Sequence, residues 1–160
     1  MGKLQRLIRF CRQRPLGAIG GLIFLIMVFT AVLADWIAPY DPLVNDYGAM
    51  LSPPSMKHPM GTDAHGRDVL SRIIYGSRTA LLVGFSSAFF GATLGAIIGV
   101  MCAYFGGKTD VIIQRFMEIL LSFPIIVMAL AMMAVLGTGI LNVILAITIP
   151  MVPRSAQVIR

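Results

Sequence analysis

Charged residues are scarce in this chain, and acidic ones are the scarcest. Charged residues make up 12% of the 160 residues, against about 25% in a typical soluble domain. Only seven residues are acidic, and Glu118 is the single glutamate. The acidic residues fall between the long apolar stretches. This argues against a proton-coupled carrier, because such a carrier usually needs an ionisable group inside the membrane.

Cysteine is nearly absent, and so are the motifs of common enzymes. Cys11 lies in a basic segment and Cys102 in an apolar one, without metal-ligating neighbours, so we predict neither a disulfide nor a redox centre. The sequence has no glycine-rich phosphate loop, no plausible Ser/His/Asp set and no paired carboxylates within an apolar stretch. We therefore expect no enzyme activity, no catalytic residue and no cofactor in this chain itself.

One segment that contains both histidines leaves a metal site open as an alternative. It carries four side chains that could suggest a site for a soft metal ion: His58, Met60, Asp63 and His65. No fixed scaffold connects these residues in the sequence. We therefore favour a solvated loop and predict no metal site.

Hydrophobic residues, in contrast, make up 58% of the chain, which predicts an integral membrane protein. The net charge is +6, and several basic residues precede position 15 with no acidic residue among them: Lys3, Arg6, Arg9, Arg12 and Arg14. This placement fits an anionic membrane surface better than nucleic acid, because the basic residues do not lie on a soluble face with interleaved aromatic residues. We expect membrane lipid, and no nucleic acid, as a partner.

Four apolar stretches predict membrane-spanning helices, and the fold class is therefore all-α and polytopic. The predicted helices cover residues 16–34, about 79–105, 116–136 and 140–158. The uncharged run 119–153 is too long for one ordinary crossing, and Gly137-Thr138-Gly139 divides it. For the first stretch, a cleaved secretory signal is the alternative, but its apolar region would be unusually long.

Three prolines bear on the third and fourth predicted helices. Pro124 lies near the start of the third, where a proline is tolerated, although a kink there is the alternative. Pro150 and Pro153 are expected to loosen the end of the fourth.

The distribution of basic residues predicts the orientation. The tail 1–15 and the turn 106–118 carry basic residues, as do Arg154 and Arg160, so we expect these parts in the cytoplasm and 35–78 outside. The segment 35–78 is rich in proline, which predicts an extended loop. Within it, Asp68 to Arg78 follows a helical pattern with one apolar and one polar face, and predicts an amphipathic interfacial helix with an Asp68–Arg72 ion pair.

A stripe of small residues recurs every fourth position in the second predicted helix: Ser87, Gly91, Gly95 and Gly99. Such a stripe lets the backbone of another helix approach closely, so we predict that this face packs in the centre of a helix bundle. The alternative is that small residues are simply frequent in membrane helices.

Several longer motifs carry a resemblance to a known family. They are Leu33-Ala34-Asp35-Trp36-Ile37-Ala38-Pro39-Tyr40-Asp41-Pro42, the run from His58 to Arg78, Ala103-Tyr104-Phe105-Gly106-Gly107 with Asp110, Ser122-Phe123-Pro124, and Pro153-Arg154. With them the chain resembles the C-type permease subunit of bacterial dipeptide, oligopeptide and nickel ABC importers. The resemblance covers nearly the whole chain.

The resemblance implies a partial type I ABC importer permease fold, with residues 79–160 as an incomplete transmembrane domain. In this family the ATPase-coupling loop follows the fourth span, so the chain is expected to be an N-terminal portion. The implied partners are a B-type permease subunit, two cytoplasmic ATPase subunits that bind ATP and Mg²⁺, and an external solute-binding protein. The implied location is the bacterial inner membrane, and the implied ligands are di- or oligopeptides, with nickel or another small solute as alternatives. A non-transporting remnant or assembly subunit is the alternative function.

Two further sets of candidate site residues follow. The family motif is expected to form an external docking and anchoring surface with Gly61, Thr62, Asp63, Gly66, Arg67, Asp68, Arg72 and Arg78. A weakly selective tunnel is expected to be lined by polar residues of the spans such as Ser86, Thr93, Asn142 and Thr148. The alternative for each of the latter is a hydrogen bond to a neighbouring helix.

Overall fold

The described residues, 13–160 of a computed structural model, are almost entirely helical or in loops. The larger helices are α1 (Pro15–Val32), α2 (Ala34–Ile37), α3 (Val69–Phe105), α4 (Gly107–Leu121), α5 (Ile125–Leu136) and α6 (Ile140–Ile159). A short 3₁₀ turn, Tyr47–Ala49, lies in the loop before α3. Most of the predicted basic tail, residues 1–12, lies outside the described residues.

The prediction of an all-α polytopic membrane protein is confirmed. Among the described residues β-structure is limited to one isolated antiparallel bridge between Thr62 and Asp68. Three helices are long and apolar enough to cross a bilayer, α1, α3 and α6, and a fourth crossing is reached if α4 and α5 together count as one. Many of their large apolar side chains are exposed, as expected for helices that face lipid.

The chain divides into two compact units, Met1–Leu81 and Leu82–Arg160, and helix α3 continues through the boundary. In the first unit, Pro15 lies in the first turn of α1, where its missing N–H costs no helical hydrogen bond. Residues 38–68 connect α2 to α3. This loop is closed by hydrogen bonds between distant backbone groups, such as Thr62 N–H to Ser52 O at 3.1 Å and Val69 N–H to Gly61 O at 3.1 Å.

Helix α3 differs from the prediction at its start. The amphipathic helix and the second span are one continuous helix of 37 residues that begins at Val69, not near 79. At about 1.5 Å per residue, it is longer than the roughly 30 Å hydrocarbon core. No proline interrupts the sequence between Val69 and Phe105, so the backbone hydrogen bonds continue from the polar part into the apolar part.

In the second unit, the predicted continuous helix 116–136 is wrong. The chain forms two helices instead, α4 and α5, whose axes differ by 88° across a short break. Pro124 occupies the N-cap of α5 with an extended ψ of 130°. Proline cannot donate the helical hydrogen bond and disfavours helical backbone at the preceding residue, so α4 ends at Leu121.

The expectation for Pro150 and Pro153 is also wrong in part, because α6 continues through both to Ile159. Both prolines are fully buried. Helix α6 packs against α4 and α5, and this packing keeps the helix intact where two backbone hydrogen bonds are missing.

Candidate functional site

The start of α3 is tied to the preceding loop by the carboxylate of Asp68. The Ser71 N–H and hydroxyl both donate to Asp68 Oδ2, at 2.8 and 2.7 Å, which caps the first turn of the helix. His58 Nδ1 donates to the other oxygen at 3.0 Å. The Tyr40 N–H then donates to Ser71 Oγ at 3.1 Å. One buried carboxylate therefore connects three parts of the segment that lie far apart in sequence.

The surroundings of Asp68 stabilise its charge. Only 3% of Asp68 and none of Ser71 is exposed. Burial by itself raises the pKa of the Asp68 carboxyl, but the hydrogen bonds from Ser71 and His58 outweigh it and hold the pKa below its ordinary value. The Tyr40 ring packs beside the His58 ring, with 4.9 Å between the ring centroids.

An open cavity of about 240 Å³ adjoins this network. It is lined by Tyr40, Asp41, Val44, Asp46, Lys57, His58, Gly66 and Asp68. The loop is therefore folded around a polar centre, and the expectation of a loop without a fixed scaffold is wrong.

A second carboxylate organises the turn before α3. Asp63 Oδ1 accepts the backbone N–H groups of His65, at 2.8 Å, and Arg67, at 3.0 Å. Its other oxygen accepts the Arg67 Nε at 2.8 Å and the Arg72 Nη1 at 3.1 Å. Partial burial by itself raises the pKa of the Asp63 carboxyl. The hydrogen bonds from the two backbone N–H groups and from the Arg67 side chain outweigh this effect and lower the pKa to about 2.

Two glycines of the motif are required by the backbone. Gly61 and Gly66 have φ of +72° and +74°, in the left-handed region that glycine adopts most easily. A side chain on Gly61 would place its Cβ 2.6 Å from the Ser52 carbonyl oxygen, and one on Gly66 would overlap the Asp46 carbonyl. Both glycines therefore allow the turn to close against the rest of the loop.

Arg78 joins α3 to the end of α1. Its guanidinium donates to both oxygens of Asp35, at 2.9 and 3.1 Å, and its Nε donates to the Ala31 carbonyl at 2.6 Å. Tyr75 adds a third hydrogen bond to Asp35, at 2.9 Å. The hydrogen bonds from Arg78 and Tyr75 hold the pKa of Asp35 below its ordinary value. The Ala31 carbonyl belongs to the last turn of α1, whose carbonyls lack helical partners.

In the second unit, the stripe of small residues lies against α6. A Cβ built on Gly95 would lie 2.9 Å from both the Ala156 nitrogen and the Val152 oxygen, and one on Gly99 would lie 2.7 Å from the Ala156 oxygen. Gly91 faces the side chain of Met151, whose Cβ would lie 3.0 Å from a Cβ built on Gly91. Ser87 is buried and donates to the Ile144 carbonyl at 3.4 Å. At Gly95 and Gly99 the two backbones approach so closely that only hydrogen fits.

Two family descriptions match this chain. Residues 4–54 match the N-terminal TM domain of oligopeptide transport permease C. Residues 91–160 match the binding-protein-dependent transport system inner membrane component. The chain belongs to this permease family.

Individual members of the permease family are similar over almost the whole chain. The di/tripeptide transport system permease protein DppC of Pseudomonas aeruginosa (strain UCBPP-PA14) is 38% identical over 151 residues, 90% of this chain and 50% of the relative. The glutathione transport system permease protein GsiD of Escherichia coli O6:K15:H31 (strain 536 / UPEC) is 40% identical over 153 residues, 95% of this chain and 50% of the relative. The chain thus spans about half the length of these permeases.

The structure brings the predicted motif residues of this permease chain together, but not in the predicted pairs. Arg72 pairs with Asp63 and not with Asp68, whose oxygens are taken by His58 and Ser71. The predicted polar face of the amphipathic helix is also wrong in part, because Ser71, expected on that face with Asp68 and Arg72, is buried. Closure of the loop over the first turn of α3 covers the side that carries Asp68 and Ser71.

Two of the side chains in the alternative soft-metal site are engaged by other residues. Asp63 is engaged by two arginines and His58 by Asp68. Within residues 13–160, no group of three or more His, Cys, Asp or Glu side chains is arranged to hold a metal ion.

The four predicted tunnel residues do not form one surface. Asn142 donates its amide to the carbonyls of Leu136 and Gly137, at 2.7 and 3.2 Å, and so closes the turn between α5 and α6. Thr148 is buried in the helix packing, with 3% exposed. Ser86 is half-buried and Thr93 exposed, and both point away from the Ser87 stripe by helical periodicity. Because Asn142 and Thr148 make contacts within the chain, we keep only Ser86 and Thr93 in the predicted pathway, and this role stays a prediction.

Sequence reasoning missed His58, Tyr40 and Ser71 as parts of one network. The spacing of Asp68 and Ser71, three residues apart at a helix start, is a capping signal that could have identified Asp68 as a cap. No local signal identifies His58 or Tyr40 as its partners, because both reach Asp68 only after the loop closes.

Proposed function

We propose that this chain is part of the membrane-spanning permease subunit of an ATP-driven, binding-protein-dependent importer for di- or oligopeptides. The observation that carries the proposal is 38% identity, over 90% of the chain, to a permease named for di- and tripeptide transport. The absence of a catalytic motif from the sequence supports a division of labour in which another chain supplies the energy.

The proposal includes three kinds of protein partner. A B-type permease subunit completes the pathway, two cytoplasmic ATPase subunits bind ATP and Mg²⁺, and an external solute-binding protein delivers the peptide. The spans lie in the inner membrane of a bacterial cell. The tail and residues 106–118 face the cytoplasm, and the 35–78 segment faces the outside. The excess of basic residues in the tail supports this orientation.

The folded 35–78 segment suits a docking surface for the binding protein. Asp63 and Asp68 each take three or more hydrogen bonds or ion-pair contacts, so the loop is pre-organised and loses little conformational freedom when it binds. Selectivity then resides mainly in the binding protein, and the pathway through the membrane is permissive. Ser86 and Thr93 are the residues of this chain that we assign to that pathway.

The proposal is tested by uptake in a bacterium whose own peptide importers are deleted. The permease that contains this chain is produced with its ATPase and binding-protein partners, and uptake of a labelled dipeptide, tripeptide, glutathione and Ni²⁺ is measured. We expect dipeptide and tripeptide uptake that disappears when the ATPase or the binding protein is left out. An absence of uptake of every compound would support a non-transporting membrane component instead.

Glutathione transport is a second candidate, because a permease named for glutathione is 40% identical over 95% of the chain. Uptake of glutathione without uptake of dipeptides would favour it.

Exchange of the binding protein tests whether selectivity resides in the binding protein or in the pathway through the membrane. If the pathway is permissive, the exchanged binding protein redirects uptake while Ser86 and Thr93 are unchanged.

A further inference from the structure

Helix α4 has an unusual distribution of side chains. Its face toward the rest of the second unit carries Asp110, Gln114 and Met117, all buried. Its opposite face carries large apolar side chains that are more than half exposed: Val111, Ile112, Phe116 and Ile119. A helix at a protein–water boundary has the reverse arrangement. The exposed face of α4 therefore suits an apolar environment and not water.

The same exposed face carries two basic residues, Lys108 and Arg115. They lie four residues before and three residues after Ile112, so all three share one side of the helix. Arg115 pairs with Glu118 at 2.8 Å in an exposed position, while Asp110, the other acidic residue of α4, is buried and pairs with Arg160. An apolar face bordered by cations is complementary to phospholipid, with its apolar chains and phosphate groups.

The direction of α4 is the third observation. Its axis differs by 88° from that of α5, which follows after a break of three residues. If α5 runs along the membrane normal, a helix at a right angle to it lies in the membrane plane. The side chains of α4 then all meet the membrane at a similar depth.

An apolar groove continues the exposed face. It has a volume of about 430 Å³ and is lined only by apolar residues of α3 and α4: Ile98, Met101, Ile112, Ile113, Phe116 and Met117. A groove without polar lining next to basic side chains suits an acyl chain whose phosphate lies near Lys108 or Arg115.

We infer that α4 is an interfacial helix that binds the bilayer with this face, and is not the first half of a membrane crossing. Ile112, Phe116 and Ile119 lie among the upper parts of the acyl chains. Lys108 and Arg115 extend along the helix to the phosphate groups of anionic phospholipids.

The depth of single tryptophans tests this inference. Trp36 is the only tryptophan, so Trp36→Phe provides the background, into which Ile112→Trp, Phe116→Trp or Ile119→Trp is introduced. Each variant is reconstituted in vesicles of phosphatidylethanolamine and phosphatidylglycerol that contain lipids brominated at different depths. We expect all three tryptophans to be quenched most strongly by the same shallow bromine position. A crossing helix would separate positions 112 and 119 by roughly 10 Å in depth.

Ile126→Trp and Leu130→Trp in α5 are the matched controls, because both side chains are exposed and belong to the following helix. They should differ in depth by about 6 Å. A graded depth across positions 112, 116 and 119 would overturn the inference. Quenching at none of these three positions would also overturn it, because another protein segment would then cover the face.

Cysteine variants at the same positions give an independent depth if a tryptophan disturbs folding. Each cysteine is spin-labelled, and its depth is measured from collisions of the label with oxygen or with a polar nickel complex.

Discussion

The Arg78 guanidinium and the Asp35 carboxylate form two hydrogen bonds, of 2.9 and 3.1 Å, in the paired geometry that arginine makes with a carboxylate. The same guanidinium donates through Nε to the Ala31 carbonyl in the last turn of α1. One side chain of α3 therefore binds both Asp35 in α2 and a backbone carbonyl in the last turn of α1.

This geometry predicts that Arg78→Lys is not a conservative change. A lysine ammonium cannot make the paired contact with Asp35 and also donate to the Ala31 carbonyl in the same arrangement. We expect faster cleavage of the 35–78 segment by proteinase K in membrane preparations. Arg72→Lys is the matched control, because Arg72 makes a single contact with Asp63 and should have a smaller effect. Equal cleavage of the two variants would contradict the role assigned to Arg78.

The order of the loop should depend on pH in a defined direction. The pKa of Asp63 is lowered to about 2 in the folded loop, from the model-peptide value of about 3.9. A carboxyl whose folded pKa is depressed contributes stability that is complete above its unfolded pKa and is lost as pH falls through its folded pKa. Hydrogen exchange of residues 61–68 should therefore be constant in protection above about pH 5 and lose protection between about pH 4 and 2.

Asp63→Asn provides the control for this pH dependence. The amide keeps the size of the side chain but cannot ionise, so the variant loop should be less protected at neutral pH and should lose less further protection on acidification. Asp68 has a lowered pKa too and supplies the remaining pH dependence. An unchanged acid transition in Asp63→Asn would show that Asp63 does not carry it.

Close packing of Gly95 against α6 predicts a strong effect of any side chain there. A Cβ at this position would lie 2.9 Å from two backbone atoms of α6, which cannot move as a flexible side chain can. We expect Gly95→Ala to destabilise the folded chain by about 1–3 kcal/mol, measured as a lower denaturation midpoint in detergent. Gly84→Ala in the same helix has open space at its Cβ and should be neutral or slightly stabilising. Similar losses at both sites would favour a general effect of composition.

Thr148→Val distinguishes helix packing from a pathway role. Thr148 is 3% exposed, and its hydroxyl has no hydrogen-bond partner within the described residues. Removal of a buried, unpaired hydroxyl should change stability by no more than about 1 kcal/mol, with stabilisation as the expected sign. Uptake rates in the assembled permease should stay as in the unchanged chain. A large change in uptake specificity with unchanged stability would return Thr148 to the pathway.

The proposed orientation is tested at Lys108. In a background with Cys11→Ser and Cys102→Ala, the variant Lys108→Cys should react with a membrane-impermeant maleimide only after the cells are opened. Met56→Cys, fully exposed in the 35–78 segment, is the opposite control and should react in intact cells. Strong labelling of position 108 from outside would reverse the orientation.

The sequence alone determined the fold class and the approximate positions of the apolar helices. A bilayer requires about 20 consecutive apolar residues in a helix, because no water is present to pair with an irregular backbone, and this requirement leaves a clear pattern in α1, α3 and α6. The repeat of Ser87, Gly91, Gly95 and Gly99 likewise identified one face of α3 before its neighbour was known.

Only the tertiary structure decided which groups become partners. The carboxylate of Asp68 meets His58 and, through Ser71, Tyr40, since closure of the loop places residues 10 and 31 positions apart within hydrogen-bond distance. The sequence also did not predict the right angle between α4 and α5. Proline permits either a helix start or a kink, and in the folded chain, where both helices pack against α6, Pro124 precedes the start of α5. Helical periodicity defines the faces of a segment, but the segments that fold against it determine which face is covered.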